Sequence, residues 1–325
     1  MNRIFSGIRP SGKLHLGNYL GAIKNWIALQ DDPETERAIY GVVDLHGITT
    51  PYDPKTYHQQ VMDVVLDYLA AGINPEKSLL IRQSKIPEHT ELAWLFNTIT
   101  PVSWLDRLPT YREKLEQAGK YNHMGLLDYP VLMAADILIY KSNMVPVGED
   151  QLPHIDLTNE IGHKFNSMFG DVFPNVKAHV NTGARIMSLQ EPTKKMSKTN
   201  DEGIALTDEP DVIRAKIKKA VTDSGKEIIF DEEKKPAISN LLTIYSLLAG
   251  KPVKKLEDEF AGKTYVDFKN DLAEMVVDFL TPFQKRRKKF EDDLPEVDKI
   301  LTKSENKAKE IATSNMAEIK AKMGL

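Results

Sequence analysis

Short apolar runs alternate with helical patterns in the N-terminal part of the chain. Residues 4–5, 38–43 and 79–81 are apolar runs of the kind found in parallel strands buried on both faces. Between them, apolar side chains share helical faces, at Leu20, Ile23 and Ile27 and again at Val61, Val64, Val65, Tyr68 and Leu69. This alternation predicts a doubly wound α/β domain with a parallel, Rossmann-like sheet.

The pattern becomes mainly helical between residues 88 and 170. A strand-like segment at 145–148 is followed by Glu149 and Asp150, acids suited to a helix first turn. Beyond residue 200 no strand series returns, and amphipathic helical runs dominate. The sequence therefore predicts a sheet domain over residues 1–205 with a helical insertion at about 88–170, and a helical C-terminal domain over 206–325.

Composition narrows the class of protein. Apolar residues make up 41% of the chain and charged residues 28%, which is ordinary for a cytosolic globular protein. No apolar stretch approaches the roughly 20 residues that span a bilayer, and residues 1–7 do not have the pattern of a secretory signal. We expect a cytoplasmic protein that does not enter a membrane.

Cysteine and histidine usage excludes several chemistries. The chain has no cysteine, so disulfides, thiolate zinc sites and cysteine nucleophiles are absent. Its eight histidines are not spaced as helix-borne metal ligands, and no protein-bound metal is expected. The net charge of −4 does not indicate nucleic-acid binding by bulk electrostatics, so such a partner would need a local patch.

A glycine-rich segment follows the first predicted strand and opens the first helix. Residues 6–21 read SGIRPSGKLHLGNYLG. Glycines let the backbone approach a phosphate closely, and a helix N-terminus offers free N–H groups to an anion. The spacing is neither a Rossmann fingerprint nor a Walker loop, and glycines needed only for tight turns would look similar. Taken alone, His15 is more often a packed or exposed histidine than a catalyst.

A lysine-rich segment is the second candidate. Residues 192–199 read PTKKMSKT. Mobile ammonium groups on a loop suit a pyrophosphate whose charge develops during a reaction. By itself, such a stretch is usually a solvated loop.

The two segments together resemble the paired signatures of class I aminoacyl-tRNA synthetases. Further segments narrow the resemblance to the bacterial tryptophanyl-tRNA synthetase family, and the likeness covers essentially the whole chain. They are residues 5–12, 133–138, 145–151 and 183–188, with 220–224 and 238–242 in the C-terminal part. The resemblance implies ATP-dependent activation of L-tryptophan, with Mg²⁺ held mainly by the nucleotide, and its transfer to tRNA(Trp). It also implies a homodimer and a tRNA anticodon-binding role for the C-terminal domain.

The resemblance assigns an ATP site to both segments. It implies contacts from Arg9, Pro10, Ser11, Gly17, Asn18, Gly148, Glu149, Asp150, Ile186, Lys195, Met196, Ser197, Lys198 and Thr199. Lys114 is a further expected phosphate contact. Catalytic roles fall to His15, Asn18, Lys195 and Lys198, which would align the substrates and stabilise charge without a covalent intermediate.

The tryptophan site is assigned in the same way. The resemblance gives Asp136 the indole N–H, and Tyr129 and Gln151 the α-amino group; Phe5, Gly7, Met133, Val145 and Val147 shape the pocket. Helical spacing adds an independent observation, since Tyr129, Met133 and Asp136 stand at i, i+4 and i+7 and share one face. The alternative is a core stripe in which Asp136 caps a helix or forms an ion pair, because an unpaired buried carboxylate is costly.

Three positions depart from the family pattern. Arg9 stands where glutamine is more usual, Asn18 where the superfamily has histidine, and Thr199 where it has serine. Arg9 changes the recognition at that corner, because a charged fork replaces a neutral amide.

Alternatives remain at two levels. The basic run 285–289 suits tRNA phosphates, but a solvated helix face is the more usual interpretation. Tyrosyl-tRNA synthetase is the closest rival family, disfavoured because its lysine loop usually reads KFGKS. From another class, the chain could be a catalytically silent relative that only binds tRNA or a protein partner.

Overall fold

The computed structural model of the protein describes residues 1–109, 122–180, 186–196 and 203–325. At its centre lies a five-stranded sheet, whose strands are β1 (Asn2–Ile8), β2 (Thr35–Val42), β3 (Leu79–Arg82), β4 (Met144–Val147) and β5 (Lys177–Val180). Every pairing is parallel and the spatial order is β3-β2-β1-β4-β5. This is a doubly wound order, and the predicted fold class is confirmed.

Helices cover both faces of the sheet. The first half of the chain contributes α1 (Leu16–Asn18), a π-helical turn (Tyr19–Ile23), α2 (Lys24–Gln30), α3 (Asp44–Gly47) and α4 (Pro54–Ala71). Successive strand side chains point to opposite faces, so Ile4 packs in one hydrophobic cluster and Phe5 in the other. Burial on both sides explains why these strands are continuously apolar in the sequence.

The mainly helical stretch from 88 to 170 also contains a central strand. It includes α5 (Glu88–Asn97), α6 (Val102–Asp106), α7 (Met124–Leu138) and α8 (Leu152–Phe169), with β4 between α7 and α8. Strand β5 is not among the predicted strands. It is a four-residue edge strand with no fully buried residue, so no apolar run marks it.

Helices are the regular elements of the C-terminal part, and its described residues contribute no strand to the sheet. Its helices are α9 (Pro210–Lys219), α10 (Pro236–Ala249), α11 (Val253–Glu259), α12 (Tyr265–Glu291) and α13 (Leu294–Met323). Helix α12 packs on α4, and α13 packs along β3 and α5. One hydrophobic cluster runs from Leu16 to Leu280, so these helices share a continuous core with the sheet.

Two members of the basic run 285–289 turn toward α4. The Arg287 guanidinium donates to Asp67 at 2.6 Å and to Asp63 at 2.9 Å, and Arg286 Nε donates to the Ala70 carbonyl at 2.7 Å. These two arginines therefore fasten α12 to α4. No helix in the described ranges is long and apolar enough to cross a bilayer.

Candidate active site

The candidate site lies at the point where the sheet reverses direction. Strands β1 and β4 are neighbours, but the chain leaves β1 toward β2 and leaves β4 toward β5. Ligands of doubly wound sheets bind in the crevice that this arrangement opens at the carboxyl ends of the strands. The segments after Ile8 and Val147 both begin at this crevice.

An apolar cavity of about 390 Å³ opens into the crevice. All eight residues assigned to tryptophan line it: Phe5, Gly7, Tyr129, Met133, Asp136, Val145, Val147 and Gln151. Arg9 and Gly148 also line it. A side chain at Gly7 would have no room, because an added Cβ would lie 2.7 Å from Val43 Cγ1 and 2.8 Å from the Gly41 carbonyl oxygen.

Asp136 is the carboxylate of this cavity and is only 1% exposed. Its Oδ1 accepts hydrogen bonds from Gln83 Nε2 at 2.7 Å and His89 Nδ1 at 2.6 Å. Its Oδ2 accepts one from His46 Nε2 at 2.8 Å. An ionised carboxylate offers about four acceptor positions, and these contacts use three of them. One position on Oδ2 is left for a donor in the cavity.

The environment keeps Asp136 ionised. Burial opposes ionisation, but the hydrogen bonds from His46 and His89 outweigh it and hold the pKa of the Asp136 carboxyl below its usual range. His89 Nε2 lies 2.8 Å from the Tyr140 hydroxyl. Burial, with Asp136 and Glu88 nearby, raises the pKa of Tyr140 well above its ordinary value, so the phenol stays protonated. It therefore donates to His89, whose Nδ1–H points to Asp136.

The partners of Asp136 were not among the predicted site residues. His46 lies in α3, directly after β2, and its position at the carboxyl edge of the sheet is the only signal that the sequence offers. His89 and Gln83 lie near α5 in a segment without a motif. The alternative interpretation of Asp136 was an ion-pair partner, and its carboxylate does contact His46 and His89. The same carboxylate also lines the cavity.

Tyr129, Met133 and Asp136 face the cavity together, as the helical spacing predicts. The Tyr129 hydroxyl lies 2.9 Å from Nε2 of His154, a buried residue of α8. This contact fixes the tyrosine ring beside Gln151, the other residue assigned to the α-amino group. The cavity therefore combines an apolar lining with polar groups, among them Tyr129, Gln151 and Asp136.

A second, more open pocket of about 860 Å³ adjoins the first. Arg9, Pro10, Ser11, His15 and Asn18, all assigned to ATP or catalysis, line it. Ile8 and Arg9 line both pockets, so they stand at the junction between them.

His15 and Asn18 form a reciprocal cap at the start of α1. His15 Nδ1 accepts the Asn18 N–H at 3.3 Å, and Asn18 Oδ1 accepts the His15 N–H at 3.1 Å. Asn18, which stands where the superfamily has histidine, thus closes the cap with its side-chain oxygen. Gly17 lies against this cap, since an added Cβ would be 3.0 Å from the His15 ring and 3.6 Å from Ile186 Cβ.

The two sequence motifs meet in the structure. The Met196 N–H donates to the Ile186 carbonyl at 3.0 Å, both side chains are buried, and Ile186 lies next to Gly17. On the far side of the lysine segment, the Leu16 N–H donates to the Ile204 carbonyl at 2.8 Å, and the Leu206 N–H donates to the Leu14 carbonyl at 2.9 Å. Met196 and Ile204 thus lie close to the first motif, through Ile186 and Leu16 respectively.

Lys195 forms an ion pair with Asp150. Its Nζ lies 2.8 Å from Asp150 Oδ1, and both side chains are about half exposed. Burial opposes ionisation of Asp150, but hydrogen bonds from Lys195 and Gln151 outweigh it and lower the pKa of this carboxyl. Glu149 lies with Asp150 in a short 3₁₀ turn after β4. Lys114, Ser197, Lys198 and Thr199 lie outside the described residues.

Comparison with known proteins shows the family to which this chain is similar. Residues 1–281 match the family of class I tRNA synthetases (W and Y). A tryptophan–tRNA ligase of Caldanaerobacter subterraneus subsp. tengcongensis is 45% identical over 330 residues, which cover 100% of this chain and 99% of that protein.

Two solved structures of tryptophanyl-tRNA synthetases are similar to this chain over its full length. Tryptophanyl-tRNA synthetase from Mycoplasma pneumoniae has a TM-score of 0.90 at 34% identity, covering 100% of this chain and 98% of that one. The Campylobacter jejuni enzyme, complexed with ADP and tryptophan, has a TM-score of 0.86 at 31% identity, covering 99% of this chain and 100% of that one.

The chain therefore belongs to the class I aminoacyl-tRNA synthetases, in the group that includes the tryptophan and tyrosine enzymes. Identity above 40% over the full length places it within that group in the tryptophan–tRNA ligase family. The enzyme joins tryptophan to tRNA at the expense of ATP, which decides against the tyrosine-specific alternative.

Proposed function

We propose that the cavity and the adjoining open pocket together form tryptophanyl-adenylate from L-tryptophan and Mg-ATP. The observation that carries this proposal is that the two pockets meet at Ile8 and Arg9. A tryptophan in the cavity presents its carboxylate at that junction, where the α-phosphate of a nucleotide in the open pocket also lies. A carboxylate oxygen attacks the α-phosphorus, the bond to the bridging oxygen breaks, and pyrophosphate leaves with its Mg²⁺.

Tryptophan is selected by one polar contact in an apolar cavity. Its indole ring packs on Phe5, Met133 and Val145, and its N–H donates to the remaining acceptor position on Asp136 Oδ2. The α-amino group lies near Tyr129 and Gln151. A buried acceptor of this kind rejects rings without a donor at that place, because it would be left unpaired.

ATP is held by the first motif and by the segments that pack on it. The start of α1 and residues 9–11 line the open pocket and suit the phosphates, because the helix dipole and the Arg9 guanidinium favour an anion. Ile186 and Gly17 offer a close apolar surface to the adenine. Gly148, Glu149 and Asp150 follow β4 on the other side of the crevice and suit the ribose.

The lysines act as the pyrophosphate charge develops. Lys195 leaves its ion pair with Asp150 and contacts the phosphates in the transition state, and Lys198, with its neighbours Met196, Ser197 and Thr199, has the same task. Lys114 is a further proposed phosphate contact. His15 and Asn18 shape the start of α1 that faces the nucleotide.

The second step transfers tryptophan to tRNA(Trp). A terminal ribose hydroxyl attacks the carbonyl carbon of the adenylate, and AMP leaves. We assign residues 1–205, with a helical insertion at about 88–170, to catalysis. We assign residues 206–325 to binding of the tRNA anticodon. The enzyme acts as a homodimer in the cytoplasm. Arg286 and Arg287 are engaged by α4 and Lys288 pairs with Asp292, so we assign the exposed Lys285 and Lys289 of the basic run to tRNA phosphates.

Amino-acid-dependent ATP–pyrophosphate exchange across all twenty amino acids tests the proposal. Tryptophan should support exchange, and tyrosine and phenylalanine should hardly do so. Exchange with tyrosine as the preferred substrate would refute the assigned selectivity. Absence of exchange with every amino acid would favour a catalytically silent relative.

A further inference from the structure

Asp136 lies in a hydrogen-bond network with Gln83, His46, His89 and Tyr140, called here the Asp136 network. Helix α13 contacts three residues that directly precede members of this network. Glu305 accepts two hydrogen bonds from the Arg82 guanidinium, at 2.7 and 3.0 Å. The Thr313 hydroxyl donates to Glu88 Oε1 at 2.6 Å. Asn315 Nδ2 donates to the Ile139 carbonyl at 2.7 Å.

Each contact falls one residue before a member of that network. Arg82 precedes Gln83, and Glu88 precedes His89; both Gln83 and His89 donate to Asp136 Oδ1. Ile139 precedes Tyr140, whose hydroxyl bonds His89. One helix of the C-terminal part thus contacts each of the three segments that carry Gln83, His89 and Tyr140.

The contact between Thr313 and Glu88 is sensitive to substitution. Glu88 is only 8% exposed, and its Oε2 has no hydrogen-bond partner among the described residues. Glu88 also occupies the first turn of α5, where a carboxylate is favourable to the helix dipole. Without the Thr313 hydroxyl, the buried Glu88 carboxylate must shift to reach water. The first turn of α5, which carries His89, would move with it.

The contact between Glu305 and Arg82 is stronger. Both side chains are mostly buried, the pair is bidentate, and Glu305 Oε1 also accepts the Arg82 backbone N–H at 3.1 Å. This backbone bond fixes the end of β3, directly before Gln83.

We propose that α13 is a positioning element for amino-acid selection, in which Glu305 and Thr313 fix the segments whose next residues orient Asp136. The proposal rests on the assignment of Asp136 to the indole N–H. Binding events that shift α13 would alter tryptophan selectivity through these two contacts, without any change at the ATP pocket.

Thr313→Val and Glu305→Gln test this proposal in the full-length enzyme. Exchange is measured with tryptophan and with its analogue in which sulfur replaces the indole N–H. Each variant should lower kcat/KM for tryptophan by roughly tenfold and narrow the preference for tryptophan over the analogue by a similar factor, since small misplacements at a site are costly. The KM for ATP should stay within about twofold of the parent value. Thr313→Ser retains the hydroxyl and should restore parent behaviour.

Lys303→Ala is the matched control on the same helix. Lys303 pairs with Glu76 through exposed side chains and borders no residue of the network. Thr313 is itself at the surface, so its replacement keeps the fold. If Thr313→Val and Glu305→Gln reduce use of tryptophan and analogue equally, α13 is only structural and the proposal is overturned. If Asp136→Asn itself leaves the preference unchanged, the assignment of Asp136 fails, and this proposal fails with it.

Discussion

Replacement of Asp136 is the sharpest test of amino-acid selection. The carboxylate is buried, accepts from Gln83, His46 and His89, and has one acceptor position left toward the cavity. A hydrogen bond to a charged group contributes about 1.5–3 kcal/mol. We therefore expect Asp136→Ala to weaken tryptophan use by about 3 kcal/mol in kcat/KM, which is a factor of roughly 150.

The alanine variant also leaves three buried donors unpaired, which destabilises the protein as well as the site. Asp136→Asn separates the two effects. Its carbonyl oxygen can still accept from Gln83 and His89, while an amide N–H₂ at the Oδ2 position cannot accept from the indole. The same N–H₂ can donate to His46 Nε2 once that imidazole takes the tautomer that accepts there. The asparagine variant should therefore remain folded and still lose tryptophan use.

The assay compares tryptophan with the sulfur analogue by pyrophosphate exchange. The parent enzyme should strongly prefer tryptophan, and the preference should largely disappear in both variants, with the KM for ATP nearly unchanged. Asp128→Asn is the matched control, because Asp128 lies on the same helix, hydrogen-bonds Asn97 and is not part of the cavity lining. If the preference survives in Asp136→Asn, indole recognition lies elsewhere and Asp136 is structural.

Three further predictions follow from the same geometry. Lys195→Ala should lower kcat by roughly 10² and leave the tryptophan affinity measured by calorimetry nearly intact, because the lysine stabilises only the transition state. Lys194→Ala is the control, and a fall in tryptophan affinity as large as the fall in kcat would contradict the assigned role. Arg287→Met should lower the free energy of unfolding, measured in urea, by about 3 kcal/mol, because it removes the arginine from a buried ion pair with Asp67. Lys289→Met should not lower it, and equal stabilities of the two variants would refute this role. The pKa of the Asp136 carboxyl is lowered in the folded protein, so its contribution to stability is present above the ordinary pKa near 3.9 and is lost as the pH falls through the folded pKa. The ¹³C carboxyl resonance of Asp136 should therefore be that of the ionised form at pH 5. A protonated resonance at that pH would contradict the hydrogen-bond pattern.

Local pattern predicts the parts of this fold that are buried on both faces. Strands β1 to β4 appear as apolar runs because each has buried apolar residues, and this includes the edge strand β3, on which α13 packs. The other edge strand, β5, carries the polar Lys177 and His179 and has no fully buried residue, so no apolar run marks it. The shared face of Tyr129, Met133 and Asp136 follows from helical spacing alone.

Long-range contacts set the rest of the site and leave no local signal. His46 and His89 reach Asp136 across sequence separations of 90 and 47 residues, from two different elements. Their convergence depends on the strand order β3-β2-β1-β4, which brings the ends of β2 and β3 behind α7. The same holds for Arg9, whose place at the junction of two pockets cannot be read from its neighbours in the chain.

A crystal structure with a non-hydrolysable analogue of tryptophanyl-adenylate tests the central claim most directly. We predict the indole nitrogen at about 3 Å from Asp136 Oδ2, within hydrogen-bond distance. The acyl-phosphate mimic should lie beside Arg9, and the adenine should lie near Gly17 and Ile186. An indole bound outside the cavity, or an adenine away from the first motif, would contradict the proposed site.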